Sequence, residues 1–155
     1  YMDNEMVAWL IKNKLVPGQL EGETARVWNT ILQIGFPATA GYATGPETQI
    51  NGRRADFHTA HTVFGNRAQE FKFLIVECKR LAIEGQDQVW EDAGIQVGAY
   101  LSGIAKSRPS GRKFGAVAIG KMVRFYEWDT KAVSLTTLAD GTYFYIDRQC
   151  ATVVQ

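Results

Sequence analysis

The stretch FLIVECKRL, residues 73–81, joins a run of four apolar side chains to a group of charged ones. Together with the residues before it, EFKFLIVECK at 70–79 is the clearest strand in the sequence, because apolar and aromatic residues dominate it. Side chains of a strand alternate between its two faces, so Glu77 and Lys79 share one face and Cys78 points to the other. The sequence therefore predicts a buried strand that ends with a carboxylate and an ammonium group on the same side.

Length and composition predict one globular domain. The chain has 155 residues, of which 46% are hydrophobic and 21% charged, and this is a composition of folded rather than disordered proteins. No apolar run approaches the roughly 20 residues of a membrane span, and the first residues lack the layout of a secretion signal. Two cysteines are too few for a disulfide framework, which favours an intracellular location, cytoplasmic or nuclear. The start at Tyr1 predicts a piece of a longer protein with other domains.

Hydrophobic spacing predicts a domain that mixes helices and strands. Apolar residues recur every three or four positions in three segments, as in helices that bury one side, and shorter apolar runs bounded by Gly and Pro predict strands. The predicted helices span residues 3–15, 23–34 and 88–106, and the predicted strands span 36–44, 53–63, 70–79, 114–120, 122–128 and 132–138. Residues 45–52, GPETQING, are predicted to form a loop. This order predicts an α/β (α+β) domain with a central sheet, a core over about residues 20–120 and a strand-rich tail over 121–155.

A second carboxylate lies on the preceding predicted strand. Asp56 is part of RRADFHT, and a hairpin between this strand and the next places it beside Glu77. Two carboxylates with a nearby backbone carbonyl form the hard-oxygen site that Mg²⁺ or Mn²⁺ prefers. Acidic neighbours keep a lysine protonated, so Lys79 is suited to orienting a water molecule or stabilising developing charge rather than to acting as a base.

The same pattern also arises on ordinary surface strands. An Asp followed 21 residues later (77 minus 56) by E-x-K occurs by chance in many proteins. Three observations favour a site: the charges end a buried strand, the Asp lies on the strand before it, and QVGAY follows on the next helix. His58 shares the strand face of Asp56, so it either lines the site or is a hydrogen-bonded structural histidine, which is the commoner role.

The order and spacing of these residues resemble the PD-(D/E)XK nuclease superfamily. Asp56 followed by ECK at 77–79 is similar to the motif that gives the superfamily its name. QVGAY at 96–100 is similar to the Q-x-x-x-Y motif of the RecB-like branch, and its first and last residues share one helix face. Ala55 stands where the family usually has a proline. The resemblance covers about residues 20–120.

The resemblance implies a restriction-endonuclease-like αβββαβ core, in which helices flank a central mixed sheet. It also implies that Asp56, Glu77 and the backbone carbonyl of Cys78 hold Mg²⁺ or Mn²⁺ as the cofactor. The implied reaction is the hydrolysis of phosphodiester bonds in nucleic acid, with DNA favoured over RNA.

The resemblance assigns further roles around this ion. Lys79 would position the attacking water, and Glu23 would assist from the first core helix, with Glu21 as the second choice. Gln96 would orient Lys79 or contact the nucleic acid, with Tyr100 in support.

Two other interpretations remain open. One is a catalytically inactive nuclease-like module that binds nucleic acid or a protein partner, since a fold does not fix a function. The presence of Asp56, Glu77 and Lys79 together argues against it, because a decayed site usually loses one of them. The other is an unrelated α/β domain in which these charges are a coincidence of the surface.

Basic residues are the remaining candidates for contacts with phosphates. Between Ala93 and Tyr126 the chain has no Asp or Glu but has six Lys and Arg residues, as a phosphate-binding face needs. Each of them is by itself more often an ordinary solvated charge. The candidate phosphate contacts are Arg53, Arg54, Arg80, Arg112 and Lys113.

Overall fold

The computed structural model describes residue 1 and residues 3–50, 53–138 and 144–145, with the backbone alone for 47–50, 53 and 144–145. Three helices and seven strands lie in this part of the chain: α1 (Glu5–Lys14), α2 (Glu21–Gly35), β1 (Tyr42–Ile50), β2 (Arg53–Val63), β3 (Gln69–Lys79), α3 (Asp87–Ser107), β4 (Phe114–Ile119), β5 (Met122–Asp129), β6 (Ser134–Thr137) and β7 (Phe144–Tyr145). Short 3₁₀ turns occur at Ala38–Ala40 and Leu81–Ile83. Among the described helices, none has the length and apolar content that crossing a membrane requires.

The strands form one mixed sheet. Its order is β1-β2-β3-β4-β5-β6, and β7 also pairs with β5. All neighbours are antiparallel except β3 and β4, which run parallel and are connected through α3. The predicted class, an α/β (α+β) protein with a central mixed sheet, is confirmed.

Helices cover both faces of this sheet. β3 is buried from Leu74 to Cys78, and its side chains alternate between two cores. On one face, Val76 and Cys78 pack with apolar residues of α1 and α2, such as Trp28. On the other face, Ile75 packs with the apolar stripe of α3. The apolar half of β3 is therefore the centre of the fold.

The helix boundaries follow local signals. Asn4 caps α1, because its side chain accepts a hydrogen bond of 3.2 Å from the amide of Val7. Lys12 and Lys14 lie in the last turn of α1, where positive charge suits the helix dipole. The second helix begins at Glu21, two residues before the predicted start, and so includes one more acidic residue in its first turn.

The prediction of a loop over residues 45–52 is wrong for its first part, because β1 continues to Ile50. Gly45 and Pro46 pair with His58 and Phe57 of β2. A proline is tolerated here because β1 is an edge strand, where one row of backbone amides has no strand partner. Of the strand predicted over residues 36–44, only the last three residues belong to β1, because β1 begins at Tyr42.

We expect Gly115→Ala to destabilise the fold by about 1–3 kcal/mol, because overpacking a core forces side chains and backbone to shift. A Cβ at position 115 would overlap Val97 Cγ1 and lie 3.3 Å from Leu101 Cδ1. Urea unfolding monitored by circular dichroism measures the change.

Gly22→Ala is the matched control, because a Cβ at this exposed helical position meets no atom within 4 Å, so helix propensity predicts equal or greater stability. Adding Val97→Ala to Gly115→Ala should cost less than the sum of the two single changes. Strict additivity would contradict the proposed contact.

Candidate functional site

The pairing of β2 with β3 brings two carboxylates together. Phe57 lies opposite Val76, so the next residue along each antiparallel strand is Asp56 on β2 and Glu77 on β3. The carboxylate oxygen Oδ2 of Asp56 accepts a hydrogen bond of 2.7 Å from the backbone amide of Cys78. This bond fixes the orientation of the Asp56 side chain at the end of the hairpin, next to Glu77.

Glu77 is buried and only partly paired. Its side chain is 5% exposed, and its Oε1 atom accepts a hydrogen bond of 2.7 Å from Lys79 Nζ. Its other oxygen, Oε2, is buried and has no hydrogen-bond partner among the described residues. A buried carboxylate oxygen without a partner is costly, and its position beside a second carboxylate makes it a ready ligand for a cation.

The electrostatics of the pair reflect an excess of negative charge. Burial raises the pKa of Glu77, and the charges of Asp56 and Glu21 raise it further, so the net pKa lies above the ordinary value despite the bond to Lys79. Burial also raises the pKa of the Cys78 thiol well above its usual range. The Cys78 side chain is therefore a neutral core group, and its backbone carbonyl is the chemically useful part of this residue.

Lys79 is held in its protonated form. Burial lowers the pKa of Lys79, but its hydrogen bond with Glu77 and the surrounding negative charges raise it by more, so the net pKa lies above its ordinary value. Those charges belong to Glu77, Glu21 and Asp56. A protonated lysine donates hydrogen bonds and carries a positive charge, and it does not act as a base.

Of the two candidate acidic residues of α2, the charges that act on the site favour Glu21, the second choice of the sequence analysis. The charge of Glu21 acts on Glu77 and Lys79, whereas Glu23 is not among the charges that shift their pKa values. The nearest cation to Glu23 is Arg26, with Nη1 3.7 Å from Oε2 of Glu23. Two residues apart on a helix means about 200° of rotation, so Glu21 and Glu23 face different ways.

The spacing of Glu21 from the buried residues of α2 can be read from the sequence. Thr24 and Trp28 lie on the buried side of α2, three and seven residues after Glu21. That spacing places Glu21 on the same helix face, one turn before the buried stripe begins. Glu23 lies at the other edge of this stripe, four residues before the buried Val27.

Tyr100 connects α3 to the strand that carries Asp56. Tyr100 is buried, and its hydroxyl donates a hydrogen bond of 2.5 Å to the backbone carbonyl of Arg54, two residues before Asp56. Gln96 lies one turn earlier on α3 and is half-buried, and its side chain makes no hydrogen bond to the residues that the structure describes. The supporting role predicted for Tyr100 thus has a specific contact, and Gln96 retains a free amide.

The charges that act on His58 come from the first half of β3. Burial lowers the pKa of His58, as does the charge of Lys72, and Glu70 opposes them. The ring packs over Gly45, where an added Cβ would lie 2.8 Å from His58 Cε1. Its charged neighbours therefore belong to the first half of β3, and the structural interpretation of this histidine is favoured over a role at the site.

The predicted phosphate contacts divide into two groups by position. Arg54 and Arg80 are exposed and lie within two residues of Asp56 and Lys79. The side chain of Arg53 lies outside the described residues. The other two, Arg112 and Lys113, precede β4.

Arg112 and Lys113 do not flank the carboxylates. Because β4 runs parallel to β3 and begins with Phe114 opposite Leu74, the residues before it lie at the other end of the sheet. Arg112 forms two hydrogen bonds with Glu127, of 2.6 and 2.8 Å. Lys113 is buried, and its Nζ donates to two loop carbonyls. These two residues therefore lie away from the Asp56–Glu77 pair, and their contact with a phosphate stays a prediction.

The residues around Glu77 fit a divalent cation of the hard-oxygen type. Within residues 1, 3–50, 53–138 and 144–145, no group of three or more His, Cys, Asp and Glu side chains converges as a metal site. Mg²⁺ commonly takes only one or two protein carboxylates and completes its shell with water and substrate phosphate. Asp56, the free Oε2 of Glu77 and a backbone carbonyl match that requirement.

Comparison of the chain with protein-family models, with curated proteins and with solved structures gave no significant match.

We expect Glu77→Gln to unfold at a higher temperature than the wild type at pH 8 in EDTA. The pKa of Glu77 is raised in the folded state, so wild-type stability falls as pH rises from the unfolded-state value of 4.5 through the folded-state value. Glutamine does not ionise, so the variant does not lose this stability as pH rises. Thermal unfolding at pH 4 and pH 8 measures the effect, and the difference between the two proteins should disappear at pH 4.

Glu91→Gln is the matched control, because Glu91 is an exposed carboxylate on α3. A wild type that is more stable than Glu77→Gln at pH 8 would show that the fold favours the charge at position 77.

We also expect Tyr100→Phe to lower the free energy of unfolding by about 1 kcal/mol, because the Arg54 carbonyl loses the tyrosine hydroxyl as a donor. Tyr42→Phe is the matched control, since the hydroxyl of half-buried Tyr42 has no hydrogen bond within the described residues. Chemical denaturation compares the two. If both substitutions lower the free energy of unfolding equally, the hydrogen bond of Tyr100 to the Arg54 carbonyl does not stabilise the fold.

Proposed function

We propose that this chain is a metal-dependent nuclease that hydrolyses phosphodiester bonds of nucleic acid, with DNA favoured over RNA. The observation that supports it most is the arrangement at the end of β3. There Asp56 and Glu77 lie side by side, one oxygen of Glu77 is buried without a partner in the described part of the chain, and Lys79 is held protonated next to them. A structural ion pair needs no second carboxylate, whereas a pair of carboxylates is a common ligand set for Mg²⁺.

The order of elements agrees with this proposal. From α2 to β4 the order is helix, three strands, helix and strand, which is the αβββαβ order that the resemblance implies. The carboxylates lie on the second and third of these strands. We therefore include in the proposal that this core is of the restriction-endonuclease type.

The ligands for Mg²⁺ or Mn²⁺ would be the carboxylates of Asp56 and Glu77 and the backbone carbonyl of Cys78. A bound ion of this kind polarises the phosphate and lowers the pKa of an attacking water. The hydrogen bond from the Cys78 amide to Asp56 restricts the Asp56 rotamer, which preorganises the carboxylate without the help of a ligand.

Lys79 supplies the fixed positive charge of the reaction. An ammonium group has three N–H donors, and the bond to Glu77 uses one of them. The remaining donors of Lys79 orient the attacking water or stabilise the negative charge that develops on the phosphate. Its raised pKa keeps it in this role at neutral and moderately alkaline pH.

Residues of the two flanking helices support this centre. Tyr100 holds β2 in place through the Arg54 carbonyl, just before Asp56. Glu21 adds negative charge from α2, which strengthens the attraction of the site for a divalent cation. Gln96, whose amide lacks a partner in the described chain, is available to the nucleic acid.

We expect the wild type to cut labelled nucleic acid in Mg²⁺ or Mn²⁺ and not in EDTA. Asp56→Asn, Glu77→Gln and Lys79→Met should each lower the cleavage rate by at least about 100-fold, because each removes charge at the reacting centre. Single-stranded DNA, duplex DNA and RNA are compared as substrates. Lys12→Gln and Glu91→Gln, which change exposed charges elsewhere, should cut at the wild-type rate.

A thermal shift with Mn²⁺ tests the ligands without reference to activity. Mn²⁺ should raise the unfolding temperature of the wild type more than that of Asp56→Asn or Glu77→Gln. A folded wild type that cuts none of the substrates with either metal would contradict the nuclease proposal and favour the inactive binding module. Cutting that survives Glu77→Gln would place the active centre elsewhere.

A further inference from the structure

A cleft of about 350 Å³ lies at the end of the sheet opposite to Glu77. Its walls come from the beginning of β1, the end of β2 and the beginning of β3, which meet there because these strands are antiparallel. The loop between α3 and β4 closes it, since β4 starts at the same end as β3. A volume of this size lies within the range of small-ligand sites.

Aromatic side chains line one part of the cleft. The rings of Tyr42 and His61 stack with centroids 4.7 Å apart and an angle of 29° between their planes. Phe73 meets Tyr42 edge to face, with centroids 5.8 Å apart. The guanidinium of Arg108 lies over the ring of Phe71, 3.6 Å from its centroid. These contacts hold several flat surfaces in fixed orientations around one space.

Positive charge lines the other part. Lys72, Arg108, Arg112 and Lys113 belong to the cleft, and no Asp or Glu is among the described residues that line it. Arg108 is held in place by hydrogen bonds of 3.2 Å to the Glu70 carbonyl and to Gln69 Oε1. The basic segment between Ala93 and Tyr126 thus contributes three of its cations to this cleft rather than to the carboxylate site.

An irregularity in β3 produces this mixture of side chains. The register of β2 and β3 shifts between Thr59 and Ala60, because Leu74 pairs with Thr59 while Lys72 pairs with Ala60. Phe73 is the extra residue of a β-bulge. In a regular strand, Lys72 and Phe73 would face opposite sides of the sheet, whereas here both line the cleft.

We infer that this cleft binds single-stranded nucleic acid, with an unstacked base against its aromatic rings and a phosphate beside Arg108 and Lys72. Proteins that bind single strands combine these two features, because a base stacks on an aromatic ring and a cationic groove follows the backbone. The bases of a duplex are stacked on each other and do not enter such a concave site. The inference rests on the proposed function in one respect, namely that nucleic acid is the substrate.

The position of the cleft relates it to the cutting centre. Six residue steps separate Phe71 from Glu77 along β3, which at about 3.3 Å each gives about 20 Å. A single strand of several nucleotides spans this distance, so the cleft is suited to holding the strand while the carboxylate end acts on it.

The test measures binding in EDTA, where cutting plays no part. The probe is a fluorescently labelled oligo-dT of about 12 nucleotides, followed by anisotropy, with a duplex of equal length for comparison. We expect the single strand to bind more tightly than the duplex. Tyr42→Leu should weaken binding about 5- to 150-fold, and Arg108→Gln should reduce the slope of log affinity against log salt by about 0.7.

Each cleft substitution has a control of the same type outside the cleft. Trp9→Leu removes an exposed aromatic ring of α1, and Lys12→Gln removes an exposed charge of the same helix. Both should bind the single strand as the wild type does. Tyr42→Leu also loses ring contacts with Phe36 and Phe73 and could fail to fold for that reason. In that case Arg108→Gln alone tests the inference.

The outcomes separate this inference from the proposed reaction. Single-strand binding that the cleft variants weaken supports the inference, even when the wild type cuts nothing. If the wild type cuts nucleic acid and both cleft variants bind the single strand as the wild type does, the inference about the cleft is overturned and the nuclease proposal stands. Equal affinity for duplex and single strand, or no binding to either, also overturns the inference.

Discussion

The parallel pairing of β3 with β4 is the constraint on which the rest of this structure depends. Parallel neighbours cannot be joined by a tight turn, so the chain has to cross the sheet between them, and α3 makes this crossing. The crossover covers one face of β3 and provides a partner for Ile75 there. It also determines which residues meet at each end of the sheet. Glu77 and Lys79 close the end where β3 stops, whereas the basic loop before β4 lies where β3 starts.

Much of this arrangement is predictable from local sequence pattern. β2 has the predicted bounds, and β3 and α3 each begin one residue earlier than expected, because their apolar periodicity is strong. The shared face of Glu77 and Lys79, and the position of Asp56 beside them, follow from strand alternation and one hairpin. Such features depend on neighbours in sequence or on a single pairing.

The features that were missed depend on partners far away in the chain. Gly45 and Pro46 are turn residues by composition, yet they belong to β1 because β2 provides a pairing partner and the sheet edge tolerates the proline. The side on which Arg112 lies depends on the direction of β4 relative to β3, and no local pattern encodes that direction. The bulge at Phe73 is equally a property of the pair of strands. Glu21 is different, since the sequence already names it as the second choice on α2.

The carboxylate group and the cationic cleft lie near opposite ends of β3, and this division suits the polyanionic substrate of the proposed function. At the Glu77 end, Asp56 and Glu21 reinforce the negative charge, so a phosphodiester approaching without a cation is repelled. In the proposed reaction that end therefore contributes little binding energy of its own, and the attraction for nucleic acid has to come from another surface. In the inferred single-strand complex, the cations around Arg108 provide such a surface, and their field acts on the backbone of the strand rather than on the reacting phosphate. Under the proposed function, separating the two charged groups by the length of β3 lets the chain hold a polyanion at one end while it keeps, at the other, the buried negative charge that attracts a divalent cation.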